Sequence, residues 1–176
     1  RDGSARTMLS ALPLATESAT LALGAALGRH GLSLEAASAD LCGRVLWLSG
    51  DLGAGKTTLV RGLLRSLGFV GRVKSPSYAL LEPYNFSQLN LYHFDFYRFK
   101  DPEEWVSAGF REHFNPASLC IVEWPEKAAG LLTLPDLHLH LEMQDDRRSA
   151  RFIAHTATGR AWRDASLAAL LSLPSG

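Results

Sequence analysis

The chain is poor in the features that would mark a membrane protein, a nucleic-acid surface or a disulfide scaffold. It has two cysteines in 176 residues, Cys42 and Cys120, without metal-ligand spacing. Cys120 lies in an apolar run, so buried thiols of a reducing compartment are expected rather than a disulfide. No apolar stretch approaches the roughly 20 residues of a membrane span, and no credible signal peptide is visible. The 18 basic and 18 acidic residues cancel. No broad positive field is therefore available to hold nucleic acid by phosphate neutralisation, and an RNA role would have to pass through partner proteins. Internal repeats and low-complexity tracts are missing as well. These absences predict a cytoplasmic protein with no membrane contact. The length suits a single domain over residues 8–176, after a leader or cloning remnant at 1–7 to which no function is assigned.

What is present is a phosphate-binding signature. Gly50-Asp51-Leu52-Gly53-Ala54-Gly55-Lys56-Thr57 fits G-x-x-x-x-G-K-[ST]. It lies between a strand-like run, Val45 to Leu48, and a helix-like run, Thr58 to Leu67, which is the context the motif requires. Its glycines allow successive backbone N–H groups to converge on an anion. Lys56 would bring a positive charge to the β- and γ-phosphates, the Thr57 hydroxyl would ligate Mg²⁺, and the helix would offer its N-terminal dipole. No Asn-Lys-x-Asp guanine-reading element occurs in the chain, which favours ATP.

Periodicity supplies the rest of the expected α/β architecture. A helix from Glu17 to Arg29 carries Ala19, Leu23, Ala26 and Leu27 on one face, with Thr16 as N-cap and Gly31 as stop. Leu32 to Gly43 reads as a linker into a first strand, Arg44 to Ser49, and the phosphate-loop helix ends at Gly68. Tyr78 to Tyr84 and Leu89 to Phe99 predict a hairpin joined around Pro83, Asn85 and Ser87. Asp101-Pro102-Glu103-Glu104 starts a helix expected to run to about Phe114. Leu119 to Val122 is wholly apolar, as in a central strand buried on both faces. Leu137, Leu139, Leu141 and Met143 alternate with polar residues and lead through Gln144–Arg148 into a second hairpin. A last helix spans Ala161 to Leu173, with Leu167, Leu170 and Leu171 on one side.

Two carboxylates are candidates to complete a triphosphate site. Glu123 ends the buried apolar run, where a sheet of this class delivers side chains to its carboxyl-edge crevice, and could hold Mg²⁺. Asp95 shares a face of its strand with His93 and Tyr97, opposite Tyr92, Phe94 and Phe96. That polar face is either a set able to orient water or accept a proton, or an ordinary solvated surface. Ser75-Pro76-Ser77-Tyr78 is either a nucleotide-sensing loop whose hydroxyls contact phosphate or metal water, or a serine-capped turn. Arg147 and Arg148 could reach phosphate or ribose, or simply decorate an exposed turn. Arg61 and Arg65 read as a solvated helix face, and His138 and His140 are weak metal candidates.

In combination with the phosphate loop, His93-Phe94-Asp95-Phe96-Tyr97-Arg98 and Val122-Glu123-Trp124-Pro125 give the chain a pattern that resembles the TsaE (YjeE) family, small bacterial ATPases of tRNA threonylcarbamoyladenosine synthesis. The likeness runs from about Leu14 to Arg163. It implies a P-loop NTPase-like three-layer fold, a mixed central sheet flanked by helices with antiparallel hairpins. It also implies ATP hydrolysis with Mg²⁺ in support of the TsaB and TsaD proteins, and contact with tRNA only through that complex. By the same likeness, Gly50 to Thr58, Lys56 included, correspond to ATP contacts, Thr57 and Glu123 to metal ligands, and Asp95 to the residue important for hydrolysis. Glu17 falls on the adenine side, and Arg147 or Arg148 where a late residue approaches ATP. Ser77 stands where many relatives carry threonine, and the late turn lacks their glycine. A small P-loop kinase and a nucleotide-gated interaction module are the alternative functions.

Overall fold

Apolar runs of period two and period 3.6 alternate along the chain, and among its described residues the computed structural model resolves them into seven strands and four α-helices. It describes residues 11–33, 44–76, 79–87 and 89–172. The expectations for residues 1–7, Cys42, Ser77 and Tyr78, and for most of the Leu32–Gly43 linker, lie outside the described residues. In chain order the elements are β1 (Leu12–Leu14), α1 (Glu17–Ser33), β2 (Arg44–Ser49), α2 (Lys56–Ser66), β3 (Leu81–Asn85), β4 (Asn90–Asp95), α3 (Pro102–Ser107), β5 (Ser118–Glu123), β6 (Leu137–Gln144), β7 (Arg147–Ala154) and α4 (Ala157–Leu171).

The strands form one mixed sheet in the order β1-β7-β6-β2-β5-β4-β3. β2 pairs parallel with β5 and β6, and β5 parallel with β4, while the edge pairs β3–β4, β6–β7 and β1–β7 are antiparallel. All six residues of β5 are buried, because a central strand of a parallel sheet is covered on both faces. On one face Leu46, Leu48, Leu119, Ile121, Leu137 and Leu139 pack under α1, α2 and α4 through Leu23, Leu27, Leu59, Leu63 and Trp162. On the other, Val45, Cys120, Val122 and Phe94 meet Trp105 of α3 and Phe110. The result is three layers, as the α/β reading expects. α1 and α2 pack unusually close: a Cβ at Gly24 would lie 2.1 Å from the Leu59 carbonyl oxygen, and one at Gly62 2.3 Å from that of Leu21.

Several local expectations are corrected. Gly31 does not stop α1, which continues to Ser33; its missing side chain makes room for the Trp162 ring, which a Cβ there would meet at 2.9 Å. The helix after Asp101 stops at Ser107. Gly109 takes a left-handed φ of 66° and a separate 3₁₀ turn follows at Phe110–His113, turning Phe110 into the core. α4 starts four residues early, capped by the Thr156 hydroxyl, which accepts from the Gly159 N–H at 3.0 Å. Its buried face is Gly159, Trp162 and Ser166, and Leu171 is exposed. Pro83 sits within β3 rather than in the connection, which edge position tolerates. β4 ends at Asp95, so Tyr97 lies beyond the strand face that it was expected to share. β1 had no distinct signal in three residues. The turn between β6 and β7 places Asp145 and Asp146 both at positive φ, the geometry of a two-residue hairpin turn that Asp tolerates without glycine.

Candidate functional site

The phosphate loop, residues 50–55, connects β2 to α2 at the carboxyl edge of the parallel strands. Gly50, Gly53 and Gly55 all have positive φ, 148°, 84° and 108°, a region that side-chain-bearing residues avoid. A Cβ on Gly50 would also strike the Leu141 carbonyl oxygen at 2.4 Å. Lys56 opens α2 with its side chain folded back: Nζ donates to the Gly50 carbonyl and lies 4.1 Å from the centre of the Trp124 ring. Cation–π attraction helps to hold the buried ammonium there. Thr57 is exposed at the second position of α2, Thr58 half-buried behind it, and Asp51 and Leu52 stand out into solvent beside the buried Ala54. A cavity of about 450 Å³ opens between this loop and the end of β6.

β4 and β5 deliver the carboxylates. Asp95 and Glu123 are register partners at the ends of these parallel strands, and both are buried. The Ser75 hydroxyl donates to Asp95 Oδ2 and lies 3.4 Å from Glu123 Oε2, and the Tyr97 N–H donates to Asp95 Oδ1 at 2.9 Å. His93, fully buried, places Nε2 2.7 Å from Glu123 Oε2. The solvated-face alternative for His93 and Asp95 is thereby set aside. Burial pushes the Glu123 carboxyl up, but the hydrogen bond from His93, the Lys56 ammonium and the Ser75 hydroxyl hold the group below its ordinary value.

The remaining residues are distributed around this centre. Glu17, exposed at the start of α1, pairs with Arg61 of α2 at 3.0 Å, so Arg61 is not simply solvated. One turn on, Thr20 packs beside Gly55. Of the two late arginines, Arg148 donates from Nη2 to the Gly53 carbonyl at 3.3 Å. Arg147 is exposed at the first position of β7, and both arginines line a cavity of about 600 Å³ beside Pro13. Sequence reasoning did not single out Trp124 as a site residue. It takes a left-handed φ of 55° directly after Glu123, and its ring packs between Lys56 and Tyr97, 5.0 Å from the latter. An aromatic between a strand-end carboxylate and Pro125 was the available signal. His138 bonds to Ser49 Oγ at 2.6 Å, and burial with facing His140 and His155 pushes its pKa down to about 4.

Among the described residues, no group of three or more His, Cys, Asp or Glu side chains could hold a metal ion by itself. A cation at the strand ends would need phosphate oxygens to complete its shell, which is how Mg²⁺ is usually held. The donor set fits it: an ionised buried carboxylate and a hydroxyl are hard oxygen ligands.

Residues 14–153 match the family description "Threonylcarbamoyl adenosine biosynthesis protein TsaE". The chain belongs to the TsaE family. It is 47% identical over 116 residues to the tRNA threonylcarbamoyladenosine biosynthesis protein TsaE of Haemophilus influenzae, covering 66% of this chain and 73% of that one. The corresponding protein of Bacillus subtilis is 39% identical over 113 residues, with 64% and 70% covered. A crystal structure of Bacillus subtilis YdiB superposes with a TM-score of 0.65 at 26% identity, over 88% of this chain and 90% of that one. The TsaE family is thus one of tRNA threonylcarbamoyladenosine biosynthesis, and its fold is the mixed α/β sheet described above. Among the described residues no helix is long and apolar enough to cross a membrane.

Proposed function

We propose that this chain is a Mg²⁺-dependent ATP hydrolase that acts in the cytoplasm with the TsaB and TsaD proteins in forming the threonylcarbamoyl group on the tRNA adenosine beside the anticodon. The observation that carries the reading is the convergence of the phosphate loop, the buried Lys56 and the paired Asp95 and Glu123 at one sheet edge. In this reading the loop N–H groups and the α2 N-terminus bind the phosphates. Lys56 exchanges the Gly50 carbonyl and Trp124 ring for the β- and γ-phosphate oxygens. Thr57 and Glu123 would hold Mg²⁺, which supplies charge neutralisation at the phosphoryl oxygens when bound.

Asp95 orients the attacking water. Its Oδ2 accepts from Ser75 and its Oδ1 from the Tyr97 N–H, which fixes the carboxylate and leaves each oxygen a further lone pair to accept from a water. Slow turnover by the isolated chain and faster turnover with its partners are the expected behaviour. A bound triphosphate that drew the Ser75 hydroxyl away from the two acids would also serve a module gated by nucleotide binding alone.

The test is to titrate the chain with ATP and Mg²⁺ in a calorimeter, then to follow phosphate release with and without TsaB and TsaD. Binding abolished in Lys56→Ala, with release accelerated by the partners, is the expected result. Lack of heat with the unaltered chain would end the reading. Partner capture that depends on ATP but proceeds without phosphate release would leave the gated module in its place.

A further inference from the structure

His93 is buried in the network, yet among the described residues no hydrogen bond joins its ring to the phosphate loop or to Asp95. It lies on β4, on the face of Leu91 and Asp95, between its register partners Glu82 of β3 and Ile121 of β5. Its Nε2 faces Glu123 Oε2 at 2.7 Å, and Nδ1 is buried with no hydrogen-bond partner among the described residues. These two facts decide the tautomer. With the proton on Nε2 the ring donates to a carboxylate and strands only a lone pair. With the proton on Nδ1 it would strand a buried N–H and set a bare nitrogen against an anionic oxygen, which is the costlier arrangement.

Among the described residues, both hydrogen bonds to the Glu123 carboxylate, from His93 and from Ser75, fall on Oε2. A glutamate side chain otherwise has three freely rotating bonds between backbone and carboxylate, and a donor fixed in a β-strand removes that freedom at the last of them. We propose that His93 is a positioning residue whose Nε2–H pins Glu123 by Oε2, so that Oε1 alone is turned to a divalent cation or its water. The proposal rests on the Mg²⁺–nucleotide reading above.

Two substitutions and one measurement on the unaltered chain test it. His93→Leu removes the donor; His93→Gln returns an amide N–H to nearly the position of Nε2. Nucleotide affinity is measured by calorimetry across a Mg²⁺ series and again in excess chelator, and Mn²⁺ binding to the protein–nucleotide complex is followed by its paramagnetic resonance spectrum. The leucine variant is expected to need about tenfold more metal for half-maximal binding, the glutamine variant to recover most of that, and both to match the unaltered chain in chelator. Imidazole ¹⁵N shifts of the unaltered chain should report a protonated Nε2 and a bare Nδ1. An unchanged metal requirement in the leucine variant, an equal loss with and without metal, a glutamine variant no better than leucine, or a proton on Nδ1 would each overturn the assignment. If the unaltered chain shows no metal-dependent nucleotide binding, the Mg²⁺–nucleotide reading itself fails, and this inference with it.

Discussion

Asp95 and Glu123 stand side by side at the ends of two parallel strands, and a single hydroxyl, that of Ser75, reaches toward both. Two buried carboxylates at such a separation repel each other unless a donor or cation intervenes. The Ser75 hydroxyl, His93 and the nearby Lys56 ammonium supply that compensation.

Asp95→Asn preserves the shape and the acceptor for the Tyr97 N–H but cannot take a proton. Nucleotide affinity is expected to stay within about threefold of the unaltered chain, and phosphate release to fall by at least about 100-fold. Paired calorimetry and phosphate-release measurements check this. Full release by the asparagine variant would remove Asp95 from the chemistry.

Arg148 and Arg147 are neighbours in sequence and unequal in space. Arg148→Ala, which loses the bond to the Gly53 carbonyl, should weaken nucleotide binding by roughly 1 kcal/mol. Arg147→Ala should leave it nearly unchanged. Equal effects in a side-by-side titration would contradict the distinction.

The pH dependence of stability should carry two signatures. Glu123 has its native pKa held below the ordinary glutamate value. Its contribution is therefore complete above the unfolded value near 4.5 and is lost as pH falls through the lower native one. His138 is pushed down to about 4 from 6.5: the unfolded chain takes up a proton below pH 6.5 while the folded chain stays neutral. Stability is thus full above pH 6.5 and declines between there and about 4. Discounted for partial exposure, the loss is on the order of 2 kcal/mol. Thermal melts across this range should lose part of their slope in His138→Gln between pH 6.5 and 4, where His140, also lowered by burial, still contributes, and should change in Glu123→Gln only at lower pH.

Gly24→Ala pushes a methyl into the Leu59 carbonyl on α2. Although alanine favours helix by about 1 kcal/mol, separating α1 from α2 should cost more, for a net destabilisation of roughly 1–3 kcal/mol. Urea unfolding measures it, and a stabilised variant would show that the helices can part without penalty.

Local chemistry in consecutive residues made much of this legible. The glycine spacing before Lys56 needs no distant contact to define a phosphate loop, and the four-residue apolar run Leu119 to Val122, closed by Glu123, announces a central strand. The Asp101 cap was equally clear, since its side chain accepts from the Glu103 N–H two residues away. The end of that helix was not. It depends on Phe110 finding the pocket beside Phe94, Phe96 and Trp105, and no helical period contains that information.

The sequence by itself determined the strand–loop–helix cradle, the class of the fold and the carboxylates available to it, because turn chemistry and hydrophobic period act over a few neighbouring residues. Tertiary structure alone decided that His93 is sealed against Glu123 rather than solvated, that Ser75 reaches two acids from 20 and 48 positions away, and that Arg148 reaches the loop. Those contacts follow from strand order and register, and register is set by the whole sheet closing over one core.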